Sequence, residues 1–399
     1  MNIIITGASG YVGSILIPEL LKYNHNLLLV GRNTDKLKSK YINISICEYH
    51  ELSRIGKNFD LLINLAAINN NSKKQYSYYL KVNRDFLYKL AEMSKSAKIK
   101  YFLNISSFHE LDIENQSKYA KSKREGTKKI QNISGLKILN IYIPFVYGKI
   151  WPKKIKILNF FPYKISQICF YFIASFYPTL NIKKLAKFIN KNLSSYKKKN
   201  NYLFDSKNDN YFYVVITLLV NIFISFSILL SFSWLMILIY IFVSFTGKGK
   251  PIFIQKRVGQ HKKHFDLFKF RTMQINTKEL ATHLINKNKV TKLGKILRVL
   301  KFDELPQIIN LLMNKVTFVG PRPSLISQKN LIKIREENNI LELKPGLTGY
   351  AQVNHIDMSN IKRLVQYDHY YLINRSLVLD FKIIIKTFLG IGFRDNVSK

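Results

Sequence analysis

Short apolar runs alternate with helical stretches over the first 150 residues of the chain. The runs are rich in Ile, Leu and Val, and a stretch with helical periodicity follows each of them. This alternation is typical of a parallel α/β sheet, because a crossover helix joins each strand to the next. The predicted strands are Ile3–Ile5, Leu27–Val30, Leu61–Asn64, Tyr101–Ile105 and Ile138–Ile143. The pattern predicts a Rossmann-like, doubly wound parallel sheet over residues 1–150.

The pattern changes after residue 150, where Lys residues mix with Ile and aromatic residues. Residues 151–208 allow two interpretations. They form either amphipathic helices that lie on a membrane surface or a short, basic helical subdomain that contributes to substrate binding.

A long uncharged segment follows. Residues 210–247 contain no Asp, Glu, Lys, Arg or His, and Ile, Leu, Phe and Val dominate them. We predict that residues 209–248 insert into a membrane, although a straight helix of this length would measure about 55 Å against a hydrocarbon core of about 30 Å. Basic residues flank both ends, which favours the same, cytoplasmic side for both. The segment is therefore predicted to re-enter as a bent hairpin, and residues 249–399 form a second, small α/β domain.

A glycine-rich loop follows the first predicted strand. Thr6 to Gly13 reads TGASGYVG, and a helical pattern begins directly after it. Gly7, Gly10 and Gly13 allow a tight turn and a close approach to a pyrophosphate, which the N-terminus of the next helix attracts. Arg32 follows the second strand, where an acidic residue would bind a ribose 2′-hydroxyl. An Arg suits a 2′-phosphate instead, so NADP is favoured over NAD unless Arg32 is simply solvated.

Three further residues complete a pattern with this loop. Tyr119 and Lys123 are four apart, hence on one helix face, and a neighbouring ammonium can lower the pKa of a phenol. Ser107 closes a predicted strand and can hydrogen-bond the same substrate oxygen as Tyr119. In this order the residues resemble the extended short-chain dehydrogenase/reductase family, the NAD-dependent epimerases and dehydratases.

That resemblance covers residues 1–150 and implies a catalytic trio of Ser107, Tyr119 and Lys123. It places the glycine loop and Ala66, in the sequence Asn-Leu-Ala-Ala after the third predicted strand, on the cofactor. Ile143 stands where members of the family usually carry Arg, so the resemblance is not complete.

Asp303 and Glu304 are conspicuous in a basic domain. Adjacent carboxylates are often a solvated pair, but Arg271, Arg298 and Arg322 lie in Pro- or aromatic-flanked contexts suited to binding phosphate. One carboxylate can ligate a Mg²⁺ that bridges a diphosphate while the other attacks phosphorus.

Five ordered motifs carry a second resemblance. They are Pro251–Gly259, Lys269–Met273, Asp303–Gln307, Phe318–Pro323 and Lys344–Asn354. Together they resemble the bacterial sugar transferase family, the small monotopic phosphoglycosyl transferases. The resemblance implies that Asp303 is a covalent nucleophile that takes a phospho-sugar from a UDP-sugar and releases UMP. It also implies Glu304 as the Mg²⁺ ligand, phosphate binding by Arg271, Arg298 and Arg322, and polyprenyl phosphate as the acceptor.

The chain departs from that family at two places. Ser231–Leu235 lacks the Pro that usually breaks the membrane helix, so we expect Ser hydroxyls to bend the helix by bonding to its carbonyls. His355 and Ile356 replace a Gly-Arg pair that often follows the last motif, which leaves the sugar open.

The sequence thus predicts a bifunctional enzyme of the bacterial inner membrane, with both catalytic domains facing the cytoplasm. The first domain would reduce, epimerise or dehydrate a UDP-N-acetylhexosamine, and the second would transfer its phospho-sugar to polyprenyl (undecaprenyl) phosphate. The alternative is that the first domain is an inactive, NADP-binding regulatory module. The net charge of +39 also suits nucleic acid, but the ordered acidic motifs argue against that partner. A homodimer is left open, and His261 and His264 are expected to lie in a solvated basic loop.

Overall fold

The computed structural model of the chain describes residues 1–70, 72–112, 115–191, 199–246, 249–274 and 289–390. The chain forms two compact units, one of residues 1–174 with 178–206 and the other of residues 175–177 with 207–399. Most of the predicted region 151–208 therefore belongs to the first unit, and the apolar segment belongs to the second. The finer domain boundaries stay predictions.

The first unit is built on a seven-stranded parallel sheet with the strand order β3-β2-β1-β4-β5-β6-β9. All five predicted strands are present, which confirms the Rossmann-like fold. The strands of this unit are β1 (Asn2–Thr6), β2 (Asn26–Val30), β3 (Ser45–Cys47), β4 (Leu61–Asn64), β5 (Tyr101–Ser107), β6 (Lys137–Ile143), β7 (Phe145–Tyr147), β8 (Thr179–Asn181) and β9 (Asn200–Tyr202). Strands β7 and β8 lie outside the seven-stranded sheet. The helices are α1 (Tyr11–Leu21), α2 (Thr34–Lys38), α3 (Leu52–Ile55), α4 (Tyr76–Leu80), α5 (Leu87–Ser96), α6 (Phe108–Leu111), α7 (Lys118–Ile130), α8 (Tyr163–Phe176) and α9 (Ile182–Asn190).

The inner strands of this sheet are largely apolar because both of its faces are covered. In β1, Ile3 and Ile5 pack into one buried cluster and Ile4 into another on the opposite face. This explains why the strands appear in the sequence as continuous apolar runs rather than as alternating patterns.

A row of hydrogen-bonded amide side chains, most of them buried, crosses the sheet. Thr6 Oγ1 donates to Asn64 Oδ1 (2.8 Å), and Asn64, Asn104, Asn140 and Asn200 continue the row strand by strand. Each partner lies opposite the next in the strand register, so side-chain amides bridge neighbouring strands. Asn64 Oδ1 also accepts a hydrogen bond from the backbone N–H of Ala66 (3.1 Å). This bond fixes the loop after β4 beside the glycine turn.

The second unit combines one long helix with short strands and helices. The strands are β10 (Ile252–Val258), β11 (His264–Phe270), β12 (Thr317–Val319), β13 (Ser324–Leu325) and β14 (Gly346–Thr348). The helices are α10 (Tyr211–Thr246), α11 (Lys292–Val299), α12 (Gln307–Leu312), α13 (Lys329–Glu337), α14 (Ile361–Asn374) and α15 (Leu377–Phe388). Strands β10 and β11 form an antiparallel pair, and β13 pairs with the other edge of β10. Strands β12 and β14 form a parallel pair. These two small sheets hold the central loops.

Helix α10 is long and apolar enough to cross a membrane, and only 17% of its most apolar window is buried. A core helix of a soluble protein would be mostly buried, so this exposure favours a lipid environment. The buried residues of α10 fall into two groups, Tyr213–Ser225 and Ile239–Val243, and none lies between them. Ser225 bonds back to the Asn221 carbonyl (2.8 Å), in the way expected for a serine that bends a helix. The re-entrant path stays a prediction.

Buried polar groups tie the first half of α10 to its own unit. The Tyr213 and Tyr371 hydroxyls both donate to the Asp380 carboxylate, and Arg375 Nε donates to Tyr213 (3.1 Å). Asn221 Oδ1 accepts from the backbone N–H of Phe318 in β12 (3.0 Å). The helix is therefore anchored by directional bonds as well as by apolar packing.

Candidate functional sites

The glycine turn of the first unit has the geometry of a nucleotide cradle. Gly7 has a positive φ of 72°, and a Cβ there would lie 2.6 Å from the carbonyl carbon of Leu65 and 2.7 Å from the nitrogen of Ala66. A Cβ on Gly13 would lie 2.8 Å from the Gly7 oxygen. Side chains are thus excluded where a ligand has to approach the backbone.

Helix α1 begins directly at this turn with an uncapped end. Its N-cap, Gly10, provides no side-chain bond to the first-turn N–H groups, which leaves them to a ligand. The turn, the helix end and Ala66 therefore fit the pyrophosphate of a dinucleotide. Arg32 is exposed directly after β2, where the sequence predicts it beside the ribose, and the choice between NAD and NADP stays a prediction.

The predicted trio meets at the carboxyl end of β5. Tyr119 hydrogen-bonds with Ser107, and burial raises the pKa of Tyr119. Lys123 is 3% exposed, and its Nζ donates to the carbonyl of Ile105 (3.3 Å). The prediction that the Lys123 ammonium lowers the pKa of Tyr119 is wrong in this structure, because desolvation of the phenol dominates.

The sequence analysis missed Glu110. This residue is 6% exposed, its carboxylate accepts from the Ser106 hydroxyl, and burial raises its pKa although the charge of Lys123 opposes the rise. Conversely, burial lowers the pKa of Lys123, and Glu110 opposes that change. A buried carboxylate next to the predicted catalytic lysine had no sequence signal, since Glu110 reaches it only through the turn into α6.

The acidic pair of the second unit lies in a turn of 3₁₀ helix, Phe302–Glu304, between α11 and α12. Asp303 is 7% exposed. Glu304 Oε1 accepts from Lys269 Nζ (2.7 Å) and from Arg322 Nη2 (3.1 Å). The two carboxylates therefore differ: Glu304 is held by two cations, and Asp303 is not.

This difference separates the pKa values of the pair. Burial and the neighbouring charge of Glu304 raise the pKa of Asp303 to about 6, although Lys269 and Arg298 oppose the rise. Burial alone would raise the pKa of Glu304 too, but Lys269 and Arg322 outweigh it and hold the pKa well below the usual range. At neutral pH both groups are ionised, and Asp303 is the more basic of the two.

The three predicted phosphate-binding arginines have different surroundings. Arg322 contacts Glu304, and Arg298 affects the pKa of Asp303 while its Nε donates to the Thr272 hydroxyl (2.9 Å). Arg298 Nη1 is buried and has no hydrogen-bond partner among the described residues, so a donor is available for an anion. The described contacts of Arg271 are instead with the Lys250 carbonyl (2.8 Å) and the ring of Phe253.

Lys269 is a second residue that sequence reasoning passed over. It lies two positions before Arg271 in the same motif, and the structure brings Lys269 rather than Arg271 to the acidic pair. Lys269 lies in β11, whereas Arg271 follows the end of that strand, and the packing of the strand against the turn brings Lys269 to Glu304.

Each unit matches a known family model. Residues 212–394 match the model of a family described as bacterial sugar transferase, and residues 3–168 match that of the NAD dependent epimerase/dehydratase family. The sugar transferase EpsL of Bacillus subtilis is 38% identical over 140 residues, which cover 35% of this chain and 69% of EpsL. The chain belongs to the bacterial sugar transferase family.

Other relatives of this sugar transferase are much longer than the region they share with it. The UDP-glucose:undecaprenyl-phosphate glucose-1-phosphate transferase of Klebsiella pneumoniae is 36% identical over 178 residues, 42% of this chain and 38% of its own length. The UDP-glucuronic acid 4-epimerase from Bacillus cereus, solved with NAD, is 18% identical over 51% of this chain and 77% of that one, with a TM-score of 0.41. That structural likeness is too low to carry an argument about activity.

Two buried arginines hold the Gly-Pro-Arg-Pro loop of the transferase domain. Arg335 is 2% exposed and pairs with Asp368 (2.7 Å), and its Nη1 donates to the Arg322 carbonyl (2.8 Å). Arg257 Nη1 donates to the Pro323 carbonyl (2.9 Å). These bonds fix the backbone that carries Arg322 toward Glu304. The sequence analysis did not select either arginine because their partners are distant in the chain.

A large apolar groove lies beside this loop. Its volume is about 790 Å³, and α10, β12 and α15 line it, among others with Val220, Ile224, Phe318, Phe381 and Phe388. β12 ends at Val319, three residues before Arg322. The transferase domain therefore places an apolar groove and the loop that carries Arg322 on consecutive stretches of chain.

The raised pKa of Asp303 predicts a pH profile for the transferase. With Asp303 as the predicted nucleophile, attack would require its ionised carboxylate, so lowering the pH through about 6 should protonate Asp303 and reduce the rate in proportion. An ordinary Asp, with a pKa of about 4, would hold the rate constant down to about pH 5. Initial rates of nucleotide release between about pH 5 and about pH 8 measure this profile. A flat profile down to about pH 5 would contradict the assignment.

Proposed function

We propose that the second unit transfers a phospho-sugar from a UDP-sugar to undecaprenyl phosphate. The observation that carries this proposal is the asymmetric acidic pair, in which Asp303 has a raised pKa and Glu304 is held by Lys269 and Arg322. A basic carboxylate among phosphate-binding cations suits attack on a phosphoryl group, which is largely a matter of positioning and charge stabilisation. The relatives whose names specify this reaction support it.

The reaction proceeds in two balanced steps. The Asp303 carboxylate oxygen bonds to the phosphorus that carries the sugar, and the bond to the bridging oxygen breaks, so UMP leaves with that oxygen. An oxygen of undecaprenyl phosphate then attacks the same phosphorus. This releases the Asp303 carboxylate and forms a sugar diphosphate lipid. Arg298 and Arg322 stabilise the charge that develops on the phosphoryl oxygens.

Glu304 would hold a Mg²⁺, whose charge would neutralise the diphosphate. Among the residues that the structure describes, no group of three His, Cys, Asp or Glu side chains could hold a metal. The Glu304 carboxylate still fits Mg²⁺, because this ion is usually bound by one or two carboxylates together with substrate phosphates.

The apolar groove supports a lipid acceptor. An isoprenoid chain suits its apolar lining, and Arg322 suits a phosphate that heads the chain. Helix α10, one wall of the groove, would sit in the bacterial inner membrane as a re-entrant hairpin, with both units facing the cytoplasm. In that arrangement the isoprenoid chain of the lipid acceptor enters the groove from the bilayer.

The test of the transferase is release of UMP by the protein in lipid vesicles with Mg²⁺, undecaprenyl phosphate and each of several UDP-sugars. We expect release with at least one sugar and, without the acceptor, a single turnover that stops at the covalent intermediate. If no UDP-sugar gives UMP, the proposal is wrong.

We propose further that the first unit modifies the same nucleotide sugar with NAD or NADP, through Ser107, Tyr119 and Lys123. The cradle at Gly7 and Gly13 would hold the cofactor, which supplies hydride chemistry when bound. The raised pKa of Tyr119 makes the phenol a proton donor at neutral pH rather than a base, and cofactor binding has to change this if the phenol is to abstract a proton. The reaction we propose for it is the reduction, epimerisation or dehydration of a UDP-N-acetylhexosamine.

Tyr119→Phe should abolish conversion of the nucleotide sugar but leave cofactor binding unchanged, because only the proton-transferring hydroxyl is lost. Tyr78→Phe, an exposed tyrosine of the same unit, is the matched control and should retain both. NAD(P)H fluorescence measures binding, and chromatography of the UDP-sugar measures conversion. Binding without conversion in the unaltered protein would favour the alternative, an inactive regulatory module.

A further inference from the structure

The outer face of α8 and of the 3₁₀ segment before it, Lys153–Phe160, is apolar and exposed. Ile157 is 68% exposed, Phe160 81% and Ile168 58%. Phe161, Ile165 and Phe172 are exposed as well. Exposed apolar side chains that occur singly need no explanation, but a cluster of this size marks an interaction site.

The opposite face of the same helix is already fully packed. Phe170 is 1% exposed, and its ring centroid lies 4.4 Å from that of Tyr147 and 4.6 Å from that of Trp151. Ala174 and Leu158 complete this small core. The outer residues are therefore not needed to stabilise the fold from within, and their apolar character calls for an external partner.

The charge around this face indicates what the partner is. No Asp or Glu occurs between Glu125 and Asp205, although this stretch contains many Lys residues. Lys156 and Lys164 are exposed within the face itself. A second copy of the same face would bring like charges together, whereas an anionic lipid surface attracts Lys and accepts apolar side chains at the same time.

We propose that this face, formed by Ile157, Phe160, Phe161, Ile165 and Ile168, rests on an anionic bilayer. It holds the epimerase-family domain at the membrane through contacts of its own, in addition to the anchor that α10 gives the other unit. The proposal does not depend on which reaction either unit catalyses.

A native cysteine provides the probe. Cys169 is exposed on α8 between Ile168 and Phe172, and the other cysteine, Cys47, is buried, so a maleimide fluorophore should label Cys169 alone. The labelled full-length protein is placed in vesicles of neutral or of anionic phospholipid that carry spin-labelled quenchers just below the headgroups. The control carries the same fluorophore at an exposed position of α5, in the variant Cys169→Ser with Ser96→Cys.

We expect quenching at Cys169 to exceed that at the control position severalfold, and to be stronger in anionic than in neutral vesicles. Replacing two residues of the face, Ile165→Ser with Ile168→Ser, should reduce quenching to the control level. The matched change Ile42→Ser, at a residue that is 87% exposed elsewhere in the unit, should not.

Three results would overturn the proposal. Equal quenching at Cys169 and at the control position would show that the face is in water. Equal quenching in the two lipids would remove the role assigned to the lysines. Efficient cross-linking between Cys169 residues of two chains would instead identify a second copy as the partner.

Discussion

Asp303→Asn should reduce sugar-phosphate transfer by at least about 10³-fold, because an amide cannot form the covalent bond to phosphorus. The change should not unfold the protein. Asp303 is buried beside Glu304 and its pKa is raised, so its charge is unfavourable there, and removal of that charge leaves stability equal or higher. A loss of activity in this variant therefore reports chemistry rather than folding.

The measurement combines UMP release with a search for the intermediate. The unaltered protein, given UDP-sugar without acceptor, should gain the mass of a phospho-sugar on the peptide that contains Asp303, and hydroxylamine should remove it. Asp266→Asn makes the same chemical change at an exposed carboxylate of β11 and should leave both signals intact. UMP release by Asp303→Asn at the normal rate would exclude this residue as the nucleophile.

Asp368→Asn should destabilise the transferase domain by about 3–5 kcal/mol, because it leaves the buried positive charge of Arg335 without a negatively charged partner. The matched surface pair is Lys262 with Glu336, 2.5 Å apart and half exposed. Glu336→Gln should cost at most about 1 kcal/mol. The free energies of unfolding of the two variants are compared by urea titration in detergent. The fluorescence of Trp234, in a Trp151→Phe background, monitors the unfolding.

A double variant separates stability from positioning. Arg335→Met with Asp368→Leu replaces the buried pair by apolar side chains and should recover most of the lost stability. It cannot restore the bond from Arg335 to the Arg322 carbonyl, so transfer should stay impaired, chiefly through a higher KM for the UDP-sugar. Full activity in a stable double variant would mean that Arg335 only supports the fold.

The sequence alone determined five strands of the first unit, its glycine turn and the long apolar helix of the second unit. The strands of the first unit are apolar on both faces, so β1, β2 and β4 to β6 stand out as short runs separated by helices. The spacing of the glycines after β1 was visible in the sequence too, although the backbone that Gly7 approaches belongs to the distant residues Leu65 and Ala66. Helix α10 needed no tertiary information either, since its whole length lacks charge.

The tertiary structure decided which charges meet. The sequence pointed to Arg271 rather than to Lys269, and the packing of β11 against the acidic turn brings Lys269 to Glu304 instead. Arg335 and Asp368 form their pair across 33 residues of sequence, and Glu110 reaches Lys123 through a turn that no motif announced. Local patterns describe how a residue faces its own helix or strand, whereas partners from distant segments are fixed by the packing of those elements. Burial has the same origin, which is why the pKa of Tyr119 is raised where local spacing predicted that Lys123 would lower it.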